Sequence, residues 1–305
     1  MKKIIFLGLG SIAKKHIKVF FDNHKNFKLY ALRSSKKSIN YDGITNLYDI
    51  DDLKKIKFYF SIISSPTYLR NEHLKIINEL NIPIFVEKPI CHDKKSFKKI
   101  SQINFRNKIN YVACNLRFLN TIKFIKEYLS NNNINVNEVN SYCGSYLPEW
   151  RSNQDYSNSY SISKQLGGGV HLDLIHEPDY LAYIFGYPNS VIKSYNKVSN
   201  IIGDSFDSAS IIFLYEKFTI SIRLNYYRRD SKRFFEIVHN NGTIYIDLLK
   251  GTVTQNNKKS FLFKSNQSIK DTYNDQMNYF INCVDNGIIP ENNIENSLKL
   301  LKYIL

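Results

Sequence analysis

The sequence predicts two folds in tandem: an α/β half on a doubly wound parallel sheet, then an α+β half on a mostly antiparallel sheet. Three observations predict this. Compact apolar runs alternate with segments of helical spacing over roughly the first 120 residues. After residue 120 the chain turns to alternating stretches rich in β-branched and aromatic residues. A glycine-rich turn at residues 8–13 joins the first apolar run to the first helical segment.

In order, KKIIFL (2–7) reads as a buried strand ending at Gly8, and Ile12, Ile17, Val19 and Phe20 give the next segment helical spacing. KLYAL (28–32) and FYFSII (58–63) read as strands, the latter stopped by SSPT. EHLKIINEL (72–80) is helical, IPIFVEKP (82–89) is a strand closed by proline, and HDKKSFKKISQI is a helix with Asp93 near its N-cap. NYVACNLRF (110–118) completes the series as a strand before a helical TIKFIKEYL. The polar run SNNNINVNEVN then leads into strand-like stretches, with Asn241–Gly242 marking a hairpin. YNDQMNYFINCVDNG and ENSLKLLKYIL read as terminal helices. The predicted domains are residues 1–120 and 121–305.

Composition narrows the function classes. The chain has 305 residues and 43% hydrophobic content, enough for two buried cores. Its net charge is +15 and its pI about 9.4, but the lysines are spread in pairs along the whole length. That pattern reads as solvated faces and as attraction for an anionic small substrate, not as a nucleic-acid footprint. The four cysteines form no CxxC pair, which speaks against a zinc ribbon or a disulfide framework and fits a reducing cytoplasm. MKKIIFLGLGSIA imitates a signal peptide, yet two glycines interrupt it, so it reads as a strand and turn. No run has the length of a membrane span.

Gly8-Leu9-Gly10-Ser11-Ile12-Ala13 has the form GxGxxA between a strand and a helix. Gly8 permits a tight turn, Gly10 lets a diphosphate approach the backbone, and the N–H groups around Ser11 and Ile12 open the helix toward an anion. The end of the second strand normally carries an acid for the adenosine ribose. Here it holds Arg33-Ser34-Ser35-Lys36-Lys37, which favours NADP(H) over NAD, with an arginine stacked on adenine as the alternative. Lys88 follows a buried strand, at the edge where such sheets bind ligands. A partly desolvated lysine there can move protons; the other reading of Glu87–Lys88 is a surface salt bridge.

Taken in order, GLGSIAKKH, SSPTYLRNEH, VEKPI, NLRF and GGGVHLDLIHE resemble the glucose–fructose oxidoreductase / inositol dehydrogenase / MocA (Gfo/Idh/MocA) family over nearly the whole chain. The resemblance implies an N-terminal Rossmann domain, a C-terminal α+β domain with a large open sheet, and a homodimer or homotetramer. It implies Lys88 near the nicotinamide and the reacting carbinol, Ser64, Ser65 and Pro66 on the adenosine side, and Glu87 on the cofactor. Asn115 and Arg117 would face the cofactor and substrate, and Asp173 and His176 would form the substrate-side pair. The family usually spaces that Asp and His by four residues. Here His176 is three after Asp173 and Glu177 is four after, so Glu177 is the alternative to His176.

GGGVHLDLIHEPDY (167–180) then reads as a close-approach glycine loop opening one helix, with Asp173 and His176 on a single face. An imidazole can exchange a proton with a hydroxyl at neutral pH while a carboxylate orients it. His171 reads as a polar wall. No HExxH pair is present, so no metal is expected. The loop with Trp150 and Arg151, followed by DYSNSYSISK, suits a sugar or its nucleotide, with a packed interdomain loop as the alternative, and Arg151, Lys164 or Arg117 could meet an anionic group. It resembles a subgroup associated with bacterial surface-sugar pathways. The sequence thus points to a cytoplasmic NAD(P)-dependent oxidoreductase moving a hydride between nicotinamide and a carbinol or keto carbon of a sugar, polyol or nucleotide sugar. The proton-transfer residues are Lys88 and His176, with Asp173 orienting. The rivals are a bound-NAD lyase, epimerase or glycosidase of the same family, and a non-enzymatic dinucleotide-binding regulator.

Overall fold

The structure, a computed structural model, describes residues 1–36, 40–151, 155–256 and 260–305. Its elements run β1 (Lys2–Leu7), α1 (Ser11–Asn23), β2 (Phe27–Leu32), β3 (Ile44–Leu47), α2 (Asp51–Lys54), β4 (Phe60–Ile63), α3 (Arg70–Glu79), β5 (Ile84–Glu87), α4 (Lys94–Ser101), β6 (Asn110–Ala113) and α5 (Asn120–Asn131). They continue as β7 (Val136–Gly144), α6 (Val170–Asp173), α7 (His176–Phe185), β8 (Ser190–Asn196), β9 (Ser208–Leu214), β10 (Thr219–Asn225), β11 (Lys232–His239), β12 (Gly242–Asp247), β13 (Thr252–Gln255) and β14 (Phe261–Lys264), and end with α8 (Asp271–Asn286) and α9 (Ile294–Ile304). Among the described residues, no helix is long and apolar enough to cross a membrane.

The first sheet is parallel throughout, in the order β3-β2-β1-β4-β5-β6. Its register pairs Leu7 with both Leu32 and Ile63, Ile63 with Val86, and Glu87 with Ala113. Gly8, Arg33, Ser64 and Lys88 therefore all leave the sheet at its carboxyl edge, where the chain order reverses between β1 and β4. Burial explains the near-continuous apolar runs: β4, β5 and β6 are buried at every position. The helix over 94–101 is capped as expected, Asp93 accepting from the Ser96 N–H at 2.7 Å.

The chain divides into two compact units, and the division differs from a single boundary at 120/121. The first unit is Met1–Cys114 with Lys270–Lys299; the second is Asn115–Ile269 with Leu300–Leu305. The predicted strand over 110–118 stops at Ala113, and Asn115–Phe118 is a 3-10 turn. Leu116, Leu119, Ile122 and Ile125 then bury in the core of the second unit. The return of α8 to the first unit has an equally local cause. Thr272, Gln276, Met277, Phe280 and Cys283 form its buried face, and the Phe280 ring lies 5.1 Å from Phe60, 5.5 Å from Phe85 and 5.9 Å from Tyr111. Asp285 accepts from Lys2 Nζ at 2.6 Å and from the Tyr59 hydroxyl at 2.5 Å, fixing the end of α8 at the start of β1. Asn292 exchanges both hydrogen bonds with Val112, so it covers the outer edge of β6.

The second unit is an eight-stranded sheet in the order β14-β13-β12-β11-β7-β10-β9-β8. All pairs are antiparallel except β7 with β10. Alternation sorts its side chains: Ile211 and Phe213, Ile220 and Ile222, and Phe235 and Ile237 bury on the core face. Asn241–Gly242 closes the β11–β12 hairpin as predicted. Truncating Phe280 to Ala is expected to cost about 3–5 kcal/mol. Urea denaturation would measure this, and an undiminished midpoint would exclude α8 as part of the first unit's core.

Candidate functional site

At the carboxyl edge of the first unit, the Gly8 turn is required by contact. Gly8 has φ +95°, and a Cβ there would lie 2.6 Å from Ser65 Cα. The Ser64 hydroxyl donates to the Gly8 carbonyl at 2.8 Å. Gly10 differs. Its φ is −78°, open to any residue, and a Cβ would meet nothing within 4 Å. Gly10 caps α1 with no side-chain bond, and the first turn holds no acid. Ser11 is exposed and Ile12 half-buried, so open space lies over uncapped N–H groups at a helix N-terminus, the arrangement that takes an anion. These residues fit a dinucleotide diphosphate.

Lys88 follows β5, half-buried, joined to Pro89 by a cis peptide bond. The carbonyls on either side of it are held by Arg70, which sequence reasoning missed. Arg70 is buried; its Nη1 donates to the Glu87 carbonyl at 2.7 Å and to the Pro89 carbonyl, and its Nε to the Ser65 carbonyl at 3.1 Å. Its signal was a cation at a helix start, where the dipole disfavours one. Ser65 further bonds His73 Nδ1 through its hydroxyl at 2.8 Å, and Pro66 is exposed. Glu87 corrects an expectation. Its carboxylate turns into the interior, where His16 Nε2 donates to it at 2.7 Å, so it braces α1 against β5 instead of facing a cofactor. Arg33 is half-buried, donating to Asn46 Oδ1 at 3.2 Å, while Ser34 is exposed; Lys37 lies outside the described residues.

In the second unit the glycines have a different cause from the expected ligand approach. A Cβ on Gly168 would lie 2.2 Å from the Tyr160 carbonyl and 2.5 Å from that of Ser161. Gly167 and Gly169 have φ +86° and +128°. The loop makes room for its own chain at 160–161. The single helix expected over 170–180 is two, α6 and α7, broken at Leu174–Ile175. Pro178 explains the break: it has no N–H for the Leu174 carbonyl, and its ring would clash there. That carbonyl accepts from Glu177 N–H at 3.2 Å instead. Asp173 therefore ends one helix and His176, half-buried, begins the next.

Asp173 is buried and accepts from the Tyr160 hydroxyl at 2.9 Å and the Tyr226 hydroxyl at 2.5 Å. Burial, then the Asp173 charge, pushes Tyr226 well above the usual phenol range, so it remains a donor. Glu177 is not the substrate-facing alternative to His176. It is 0% exposed and pairs with Arg233 Nε at 2.7 Å. Arg117 donates twice to Asp179, at 2.7 and 2.8 Å, so this side of its guanidinium is held by a carboxylate of its own unit. Asn115 is buried at the start of its turn. Trp150 and Arg151 do line a cavity of about 390 Å3, together with Tyr156, Asn158 and Tyr160. The Trp150 ring meets Tyr226 edge-on at 5.3 Å, and its Nε1 donates to Ser145 Oγ at 2.8 Å. His171 is packed, stacked on Tyr195 at 4.3 Å. Among the described residues, no three His, Cys, Asp or Glu side chains gather as metal ligands.

Gly10→Ala tests the anion seat. Folded stability is expected to stay within about 1 kcal/mol, while dinucleotide affinity, measured by calorimetry, drops about tenfold or more. An unchanged affinity would rule the seat out. His171 gives a pH test. Burial, assisted by Lys193, lowers its pKa from 6.5 to about 4. Above 6.5 both folded and unfolded imidazoles are neutral. As pH falls through 6.5 the unfolded chain gains the proton and the folded chain does not. Stability is thus lost from there down to about 4, by about 2 kcal/mol at about pH 5. In His171→Phe, which retains the stacking, melting temperature should fall less between about pH 7 and 5; equal slopes would contradict the assignment.

Residues 2–111 match the Gfo/Idh/MocA oxidoreductase family, NAD-binding Rossmann fold. A comparison with curated proteins by sequence found no match. The crystal structure of myo-inositol 2-dehydrogenase from Lactobacillus plantarum aligns with a TM-score of 0.79 at 18% identity, covering 99% of this chain and 95% of that one. Scyllo-inositol dehydrogenase from Lactobacillus casei aligns at 0.77 and 17%, covering 100% and 94%. The WlbA dehydrogenase from Bordetella pertussis, in complex with NADH and UDP-GlcNAcA, aligns at 0.78 and 14%, covering 98% and 92%. At such identities the likeness is one of fold. Residues 2–111 thus match the NAD-binding Rossmann fold of the Gfo/Idh/MocA oxidoreductase family, and along nearly its whole length the chain has the fold of these dehydrogenases.

Proposed function

We propose that the protein is an NAD(P)-dependent oxidoreductase transferring a hydride between nicotinamide and a carbinol or keto carbon of a sugar, polyol or nucleotide sugar. The observation that carries this is the uncapped N-terminus of α1 beneath the open space at Gly10, on a sheet of an NAD-binding oxidoreductase family. Gly8, Gly10, Ser11 and Ile12 seat the diphosphate. The nicotinamide, when bound, takes or gives the hydride. The alcohol proton must move in step with it, and Lys88 and His176 are the groups we assign to that transfer. Asp173, fixed by Tyr160 and Tyr226, is the orienting carboxylate. The cavity at Trp150 and Arg151 suits the ring of a sugar or of its nucleotide. Substrate chemistry of this range is supported by the neighbours: two are named for inositols, and a third was crystallised with a nucleotide sugar.

The test is a screen of inositols, aldoses, uronic acids and nucleotide sugars with both oxidised dinucleotides, following nicotinamide absorbance. On the substrate found, Lys88→Ala should lower turnover by about a hundredfold or more and leave dinucleotide affinity within a few fold. Turnover left intact, or a loss explained by lost dinucleotide binding, would remove Lys88 from proton transfer.

A further inference from the structure

Two cations from different elements meet at one aromatic ring beside the carboxyl end of β2. Arg33 leaves β2 with its N–H on the Leu47 carbonyl at 2.9 Å. Its guanidinium donates to Asn46, whose own amide donates to Asn40 at 2.7 Å, and it lies 5.9 Å from the centre of the Tyr41 ring. Lys14, in the first turns of α1, brings its ammonium to 5.3 Å from the same ring. The meeting is built. Gly43, φ +76°, lets the turn after Tyr41 sit on α1, where a Cβ would lie 2.9 Å from the Phe21 ring. The Ile44 N–H closes that turn on the Tyr41 carbonyl at 3.2 Å. Lys36 adds a third cation nearby, over Tyr48 at 6.0 Å. The acid of this stretch, Asp42, is exposed in the turn.

The place matters because of where a dinucleotide would lie. With its diphosphate on the N-terminus of α1, its adenosine ribose falls at the end of the second strand. A 2′-hydroxyl is ordinarily met there by a carboxylate, which would repel a 2′-phosphate. Like charges held around one ring repel each other, and a dianion among them relieves that repulsion. From this arrangement we infer that Lys14 and Arg33, both against Tyr41, clamp the 2′-phosphate of an NADP-type dinucleotide, with the exposed Ser34 hydroxyl as a neutral donor. Lys14 is the new element: it lies on the glycine-turn helix, outside the strand-end motif. The inference rests on the dinucleotide reading proposed above.

Titration of the intact protein, Lys14→Met and Arg33→Met with NADPH and NADH, followed by nicotinamide fluorescence, tests it without any knowledge of the substrate. Adenosine 2′,5′-bisphosphate serves as a competing probe. The intact protein should bind NADPH about tenfold or more tighter than NADH, and the bisphosphate should displace NADPH. Each variant should lose about fivefold or more for NADPH and stay within about twofold for NADH. Equal or tighter NADH binding by the intact protein overturns the clamp. Parallel losses for both dinucleotides in the variants also overturn it, placing the cations on the adenine or diphosphate. Binding of neither dinucleotide removes the dinucleotide reading, and the clamp with it.

Discussion

The buried guanidinium of Arg70 joins the ends of two neighbouring strands, taking the Ser65 carbonyl after β4 and the Glu87 and Pro89 carbonyls after β5. Around it runs a closed circuit. Ser65 packs against Gly8, Glu87 holds His16, and His16 stands on the helix that begins beside Gly10. The candidate anion seat and Lys88 are thus joined by one network, in which the bonds of Arg70 and of His16 are buried. Charge-assisted bonds to carbonyls are stronger than neutral ones, and a buried arginine without them would be too costly to keep.

The second unit solves a similar problem with tyrosines. Its candidate carboxylate, Asp173, is removed from water and compensated by two phenols. One of these, Tyr160, is brought in by a turn that fits only because Gly168 has no side chain. The charged residues around it are paired: Glu177 with Arg233, and Arg117 with Asp179. Pairing of this kind ties α7 to β11 through Arg233 and to the turn at 115–118 through Arg117.

What could be read in the sequence was what depends on neighbours along the chain. The strand, glycine turn and helix at residues 2–23, the capped helix at Asp93, and the Asn241–Gly242 hairpin follow from local rules, and so did the two-part fold. Lys88 at a strand end was legible for the same reason. Partners far apart in sequence were not: nothing near Glu87 announces His16, and nothing near Asp173 announces Tyr226. Glu177 and Arg117 looked available because a charged residue in a polar stretch does not show its distant counter-ion. Pro178, by contrast, was in plain view, and its effect on the preceding turn could have divided the helix beforehand.

The return of residues 270–299 to the first unit has a consequence for biogenesis. As the chain is synthesised, its first 114 residues emerge long before the helix that completes their aromatic core. The nascent parallel sheet must wait, with Phe60, Phe85 and Tyr111 incompletely covered, while the whole of the second unit is made. Transiently open apolar surface of that kind is where chaperones engage and where aggregation starts. The second unit, continuous but for Leu300–Leu305, is nearly all made before residues 270–299 emerge, so the dinucleotide-binding fold, although encoded first, closes only near the end of synthesis.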